Sequence, residues 1–406
     1  MLRPFSPQVR AAPSGAAAIG VLLLLACGSG SCRSTTSSGD PAARDTAQHD
    51  VVIAVAWPWE RRTQIHYGEG LDLAVEEENA GGGLEGRRIR VVRYDDGESI
   101  DEGRLVAERI AATPGVAAVI GHLQSYVTLP AASIYERAGL VLLAPVATDP
   151  ALTSSGYRHV FRVTLSVTDI GRHLADTAAR FGFRRIAIHY SRTDYGRDLS
   201  NAFETRAAEL GLAVPVRQSY DASDSIDEPA IRSAMRQWAD VGVDAVFLAG
   251  EPPTAANMLV LIRQAGVRLP LLAGDAMSSP EVLDLAGPAA EGIVVASFFH
   301  PDEPRPEVKA FTRAFRQRYG MTPDVGSALG YDAVRLIAHA VRESGSTAPA
   351  AIAAALHATR DWQGVTGAFT FDERGETVNK RLIEVKVRGG HFVFLDQRPV
   401  AATVGP

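Results

Sequence analysis

The polar residues best placed to do chemistry follow directly on short apolar runs. Gln124 and Ser125 come after VAAVI, and Ala147 and Thr148 come after VLLAPV. Tyr195 comes after RIAIHY, and Asp275 comes after LLA. Hydroxyls near free helix amides favour an anion, and a lone carboxylate favours a cation. Ser125 opens an amphipathic stretch and is expected to cap its helix. Pro145 and Pro150 hold the segment APVATDP extended, exposing its carbonyls and the Thr148 hydroxyl. A ligand carrying both signs of charge would use both kinds of group.

No set of residues assembles a nucleophile, a base and an oxyanion hole. The chain lacks GxxxxGK[ST], HExxH and GxSxG, and Gly68-Glu69-Gly70 lacks the third glycine of a dinucleotide fingerprint. Binding is therefore expected rather than catalysis, with no cofactor and no metal. Tyr94-Asp95-Asp96 reads as a strand-end turn with solvated carboxylates. His189 reads as a satisfied residue near a strand end.

The elements that must position these residues alternate. Strands are expected at Val51–Ala56, Arg88–Tyr94, Val116–Ile120, Leu140–Leu143, Arg185–Tyr190, Val243–Ala249, Leu271–Ala273 and Ile293–Phe299. Between them lie helical patterns such as Asp169–Phe181, Asp198–Leu210, Ile231–Val241 and Ala255–Ala265, with Gly182, Gly211 and Gly266 as left-handed C-caps. Helices at Pro306–Tyr319, Ser327–Arg342 and Pro349–Thr359 follow, then strands at Gly367–Phe371, Arg381–Val387 and His391–Leu395. Strand–helix alternation implies parallel sheets with helices on both faces. In such sheets ligands bind beyond the carboxyl ends of the strands.

The 406 residues carry a formal charge of −6, so no global basic field draws nucleic acid. Both cysteines, Cys27 and Cys32, are N-terminal, which leaves the remaining chain without thiol chemistry. The run AAAIGVLLLLA over 16–26 follows Arg3 and Arg10. It is too short for a span of about 20 residues but suits a signal peptide. Leu24-Leu25-Ala26-Cys27 looks like a bacterial lipobox, which implies acylation of Cys27 and a lipid anchor. The Ser/Thr/Gly-rich segment that follows is expected to be a tether.

The stretch GHLQSYVTLPAASIYERAGLVLLAPVATDPALTSSGYRHVFR strongly resembles type I periplasmic binding proteins of the Leu/Ile/Val-binding family. GLDLAVEEENAGGGLEGRRIRVVRYDD, RIAIHYSRTDYGRDL and AGDAMSSPEV do so too. The resemblance covers about residues 50–395. It implies α/β architecture: two doubly wound lobes with parallel sheets, joined by a three-crossing hinge near Arg162–Leu165, Ser297–Pro301 and Phe371–Asn379. The expected division is signal peptide 1–26, tether 27–49, lobe I 50–164 and 299–375, lobe II 165–298 and 376–398, and tail 399–406.

The resemblance also implies an α-amino-acid site, with a branched-chain or other apolar amino acid as the expected ligand. Ser125 and Thr148 correspond to residues that bind the α-carboxylate, with backbone amides of the Ala147 segment around them. The Val146 carbonyl and Asp275 correspond to groups that hold the α-ammonium, and Tyr195 to an aromatic cover. The chain departs from the family in places. Glu251 stands where relatives often place a glycine pair and an aromatic. Trp57 and Trp59 occupy a first-loop position usually filled by small residues. Glu98 and Gln124 stand where some members carry a disulfide. The side-chain pocket is thus open to other ligands, such as a short amide, urea or an aromatic acid. The expected partners are an ABC permease or a membrane receptor.

Overall fold

The computed structural model describes residues 50–62, 65–221 and 228–395. The segments expected to form the lipobox with Cys27, the tether and the tail lie outside them. The first sheet is built from β1 (Val51–Trp57), α1 (Tyr67–Ala80), β2 (Ile89–Asp95), α2 (Ile100–Ala111) and β3 (Val116–Gly121). It continues through α3 (Ser125–Arg137), β4 (Val141–Ala144), α4 (Ala151–Ser154) and β5 (Val160–Arg162). Its strands are parallel, in the order β2-β1-β3-β4-β5. β3 and β4 are buried on both faces, as sheets covered by helices on each side require.

The second sheet begins after α5 (Val167–Arg180), with β6 (Arg185–Ser191), α6 (Asp194–Glu209), β7 (Ala213–Tyr220) and α7 (Glu228–Asp240). β8 (Ala245–Ala249), α8 (Thr254–Gln264), β9 (Leu271–Ala273), α9 (Pro280–Ala286) and β10 (Val294–Ser297) complete the alternation. The chain then crosses to α10 (Pro306–Tyr319), α11 (Val325–Ser344), α12 (Pro349–Ala358) and the hairpin β11 (Trp362–Gly364) and β12 (Gly367–Phe369). It ends in β13 (Ile383–Arg388) and β14 (His391–Leu395), which join the second sheet. The order there is β14-β13-β10-β9-β8-β6-β7.

Both lobes are three-layered. One face of the first sheet packs on α1, α11 and α12, the other on α2 and α3. The second sheet lies between α5 and α6 on one face and α7, α8 and α9 on the other. The chain passes between the sheets three times, after β5, after β10 and after β12, as a three-crossing hinge demands. The second sheet is not purely parallel: β13 pairs antiparallel with β10 and with β14. The β13–β14 pairing is antiparallel because the short hairpin over Gly389 and Gly390, both at positive φ, leaves no room for a crossover helix.

Two parallel strands at sheet edges, β5 and β7, are not evident from the sequence pattern. β7 reads AVPVRQSY, and its Pro215 and polar residues are tolerated because an edge strand needs fewer ladder bonds. Gly70 has a packing reason. A Cβ there would sit 1.9 Å from the Ser327 carbonyl oxygen, so only glycine lets α1 lie against the start of α11. That start is fixed by a capping box, with the Asp324 side chain accepting from the Ser327 amide at 2.7 Å.

Two expectations are corrected in the strands. Asp96 is not solvated: it is 1 % exposed and bonds His122 Nδ1 at 2.7 Å, with Tyr135 beyond at 3.3 Å. The turn that follows β2 folds it under β3, so its neighbour Asp95 alone faces water. His189 is not a satisfied strand-end residue. Its ring packs against Tyr220 (4.9 Å) and Trp238 (5.6 Å), and neither ring nitrogen makes a well-formed hydrogen bond among the described residues.

Burial pulls the His189 pKa down to about 4. The unfolded chain, with an ordinary histidine near 6.5, binds this proton more readily. Stability from this group is full above pH 6.5 and falls as pH drops toward 4, by at most about 1.4 kcal/mol per pH unit. Urea unfolding at pH 7 and pH 4.5 should show a smaller loss for His189→Leu than for the wild type. Equal losses would exclude His189 as a source of acid sensitivity.

Candidate functional site

The strand orders place a topological switch point between β1 and β3 in one sheet and between β6 and β8 in the other. Doubly wound sheets form crevices at such points, beyond the carboxyl ends of the strands. Here the two crevices share one cavity of ≈ 560 Å³. The first lobe lines it with Trp57, Gln124, Ser125, Val146 and Thr148, and the second with Tyr195, Glu251 and Asp275. Seven of the nine ligand-site residues expected from sequence therefore meet in one place.

Ser125 is not the helix cap. Gln124 takes the N-cap position with extended backbone, and Ser125 is the first helical residue. Its Oγ accepts instead from the Thr148 amide at 3.1 Å and the Asp149 amide at 3.2 Å. With its lone pairs used this way, the Ser125 hydroxyl hydrogen is left to donate to a ligand anion. The Gln124 carbonyl accepts from Val127 and Thr128, closing the first turn of α3.

On the opposite wall, Tyr195 sits in the first turn of α6, whose N-cap Thr193 accepts from the Gly196 amide at 3.1 Å. The Tyr195 hydroxyl donates to Asp275 Oδ1 at 2.6 Å. Gly274 makes that contact possible: a Cβ there would lie 2.5 Å from the Tyr195 hydroxyl. Burial raises the Asp275 carboxyl above its ordinary value, and the Tyr195 bond opposes that. Burial first, and then the Asp275 charge, hold the Tyr195 phenol well above its ordinary value, so it stays a donor. The Asp275 carboxyl also accepts from the backbone amides of its own residue and Ala276, and it lines the cavity, where its remaining acceptor capacity can meet a cationic group.

Two expected residues lie elsewhere. Ala147 is 2 % exposed and does not line the cavity; its carbonyl accepts from Arg162 Nη1 at 2.6 Å. Trp59 also stays out. Its indole N–H donates to the Tyr94 carbonyl at 3.1 Å, and Arg93 covers its ring at 4.8 Å. Trp57, stacked on Tyr67 at 3.9 Å, is the tryptophan at the cavity wall.

Arg62 was not evident from the sequence. It enters from the loop after β1, bonds Glu98 Oε1 at 2.5 Å and reaches Glu281 Oε2 of the other lobe at 3.4 Å. Gln124 Nε2 donates to the same Glu98 oxygen at 2.8 Å. Positions 98 and 124, where the resemblance implies a disulfide in some members, are thus joined by a hydrogen bond. Ile65, Leu123, Phe298, Val325 and Leu329 give the cavity an apolar wall. The last two arrive through the start of α11, far along the chain, and carry no local signal of this role.

A cleft between two doubly wound lobes, with hydroxyls and amides on one wall and a carboxylate on the other, defines a two-lobed solute-binding protein. A family model described as periplasmic binding protein matches residues 64–391, and the chain belongs to that family. The family acts outside the cytoplasm.

Among its relatives is the leucine-, isoleucine-, valine-, threonine-, and alanine-binding protein of Pseudomonas aeruginosa. That protein is 29 % identical over 344 residues, covering 83 % of this chain and 90 % of the relative. An ABC transporter substrate-binding protein from Desulfitobacterium hafniense, solved in complex with Leu, matches with TM-score 0.79 and 37 % identity. The match covers 86 % of this chain and 100 % of that one. LivJ from Streptococcus pneumoniae, in complex with isoleucine, matches with TM-score 0.77 and 25 % identity, over 85 % and 98 % of the two chains.

Proposed function

We propose that the chain captures an α-amino acid in the interlobe cleft and delivers it to an ABC permease. One observation carries this reading. The cavity has a donor end, the Ser125 hydroxyl with Thr148 beside it, and an acceptor end, the Tyr195-held carboxylate of Asp275. A zwitterion needs both, and neither end alone selects one. The relatives solved with leucine and isoleucine support the same class. Val146 supplies a carbonyl for the α-ammonium beside Asp275. Lipid on Cys27, after removal of residues 1–26, would hold the body at a membrane surface through the tether 27–49. The reading assigns binding and no catalytic step.

Thermal unfolding of the purified chain with amino acids, short amides, urea and small aromatic acids tests it. An α-amino acid should raise Tm, because a ligand that binds only the native state stabilises by mass action. Stabilisation by an uncharged amide or an aromatic acid, with none by any α-amino acid, would show the zwitterion reading to be wrong.

A further inference from the structure

Most carboxylates on the cavity wall are already committed. Asp324 caps α11, Asp149 accepts from the Ala151 amide at 2.8 Å, and Asp194 is paired with Arg197. Glu281 meets Arg62. Asp275, in the reading above, takes the α-ammonium. Asp198 lies 3.7 Å from Arg197. That leaves Glu251, which accepts from the Thr193 hydroxyl and keeps further acceptor capacity for a ligand. It follows β8 on the second-lobe wall, beside Pro252.

Glu251 and Asp275 both line the second-lobe wall, and the Asp275 charge acts on Glu251. Arg62 and Glu98 of the first lobe act on Glu251, whereas neither acts on Asp275. Arg62 cannot fully neutralise Glu251, because Glu98 at 2.5 Å and Glu281 at 3.4 Å already share it. Burial, with Asp275 nearby, raises the Glu251 pKa to about 7. An aliphatic side chain pressed against this carboxyl would strip its water and return no hydrogen bond, which is costly. The apolar wall of Leu123, Val325 and Leu329 suits a methylene stem, and the cavity leaves room for a long one.

We propose that Glu251 determines specificity: the ligand is an α-amino acid whose side chain ends in an N–H donor, and Glu251 accepts from it. The donor is a guanidinium, an ammonium or a carboxamide at the end of an aliphatic stem. This rests on the amino-acid reading above and narrows it away from purely aliphatic side chains. A site built to accept a hydrogen bond rejects the analogue that lacks the donor far more strongly than an apolar pocket rejects an extra group.

Calorimetry with lysine, arginine, glutamine, norleucine and leucine tests the inference, on the wild type, Glu251→Gln and Glu251→Leu. Norleucine matches the stem of lysine without its ammonium. In the wild type, the best of the three donor-bearing amino acids should bind at least ten-fold tighter than norleucine. Glu251→Gln, which keeps shape and a polar group, should cut the preference for a cation. Glu251→Leu should reverse the order, with norleucine gaining. Leucine or norleucine binding as tightly as the donors in the wild type would overturn the inference and leave the amino-acid reading intact. So would an equal loss of all five ligands in both variants, which would place Glu251 at the α-ammonium. Binding of none of the five to the wild type would overturn the amino-acid reading itself and this inference with it.

Discussion

Asp275→Ala should lower amino-acid affinity at least ten-fold and leave the unliganded chain about as stable as the wild type. A hydrogen bond to a charged group contributes roughly 1.5–3 kcal/mol, and each 1.4 kcal/mol is a factor of ten. The ligand ammonium would lose its charge-assisted acceptor, and the Tyr195 hydroxyl would lose its partner in the same step. The free chain suffers less, because burial already disfavours the Asp275 charge in the absence of a ligand. Asp275→Asn separates the two effects. It keeps an acceptor for Tyr195 and removes the charge, so it should weaken binding while preserving the wall. Calorimetry of both variants with the amino acid that most raises Tm reads the result. Unchanged affinity in Asp275→Ala would remove this residue from the site.

The second large effect concerns the hinge. Arg162→Ala should destabilise the chain by about 3–5 kcal/mol, the usual loss when one partner of a buried ion pair is removed. Arg162 is fully buried and its guanidinium is used on every side. It pairs with Glu376 at 2.9 Å and donates to the carbonyls of Ala147 and Asp149, each at 2.6 Å. Its own amide donates to the Gly375 carbonyl at 2.9 Å. One residue thus ties β5 both to the APVATDP segment and to the loop by which the chain returns to the second sheet. Without it, Glu376 keeps the Thr153 hydroxyl, at 2.5 Å, and is left as a buried charge without its cation. Arg162→Lys should fall between, since an ammonium lacks the planar fork that reaches two carbonyls and a carboxylate at once. Urea midpoints for the three proteins test this. A loss under about 1 kcal/mol in Arg162→Ala would mean that the pair does not hold the hinge.

These two residues differ in how far the sequence shows them. Asp275 is visible because it follows a short apolar run and a glycine, where a parallel sheet presents its ligand groups. Arg162 is one of 41 basic residues, and nothing local separates it from the rest. Its partners are Ala147, 15 positions back, and Glu376, 214 positions ahead. The same holds for Arg62, whose reach to Glu281 depends on two lobes facing each other.

The sequence by itself determined the alternation of strands and helices, the family and most of the polar residues that line the cavity. These are local facts: apolar runs set strands, periodic faces set helices, and the residue after a strand points into the crevice. Tertiary structure decided which groups are used and by whom. It gave Ser125 to the Thr148 and Asp149 amides instead of its own helix, and it buried Asp96 against His122. It took the Ala147 carbonyl for Arg162 and turned Trp59 away while leaving Trp57 at the wall. It also delivered Val325 and Leu329 to the cavity from a helix that follows the second crossing of the hinge. The reason is physical. A hydrogen bond or an apolar contact depends on which distant segment arrives, and sequence spacing reports only the neighbours along the chain.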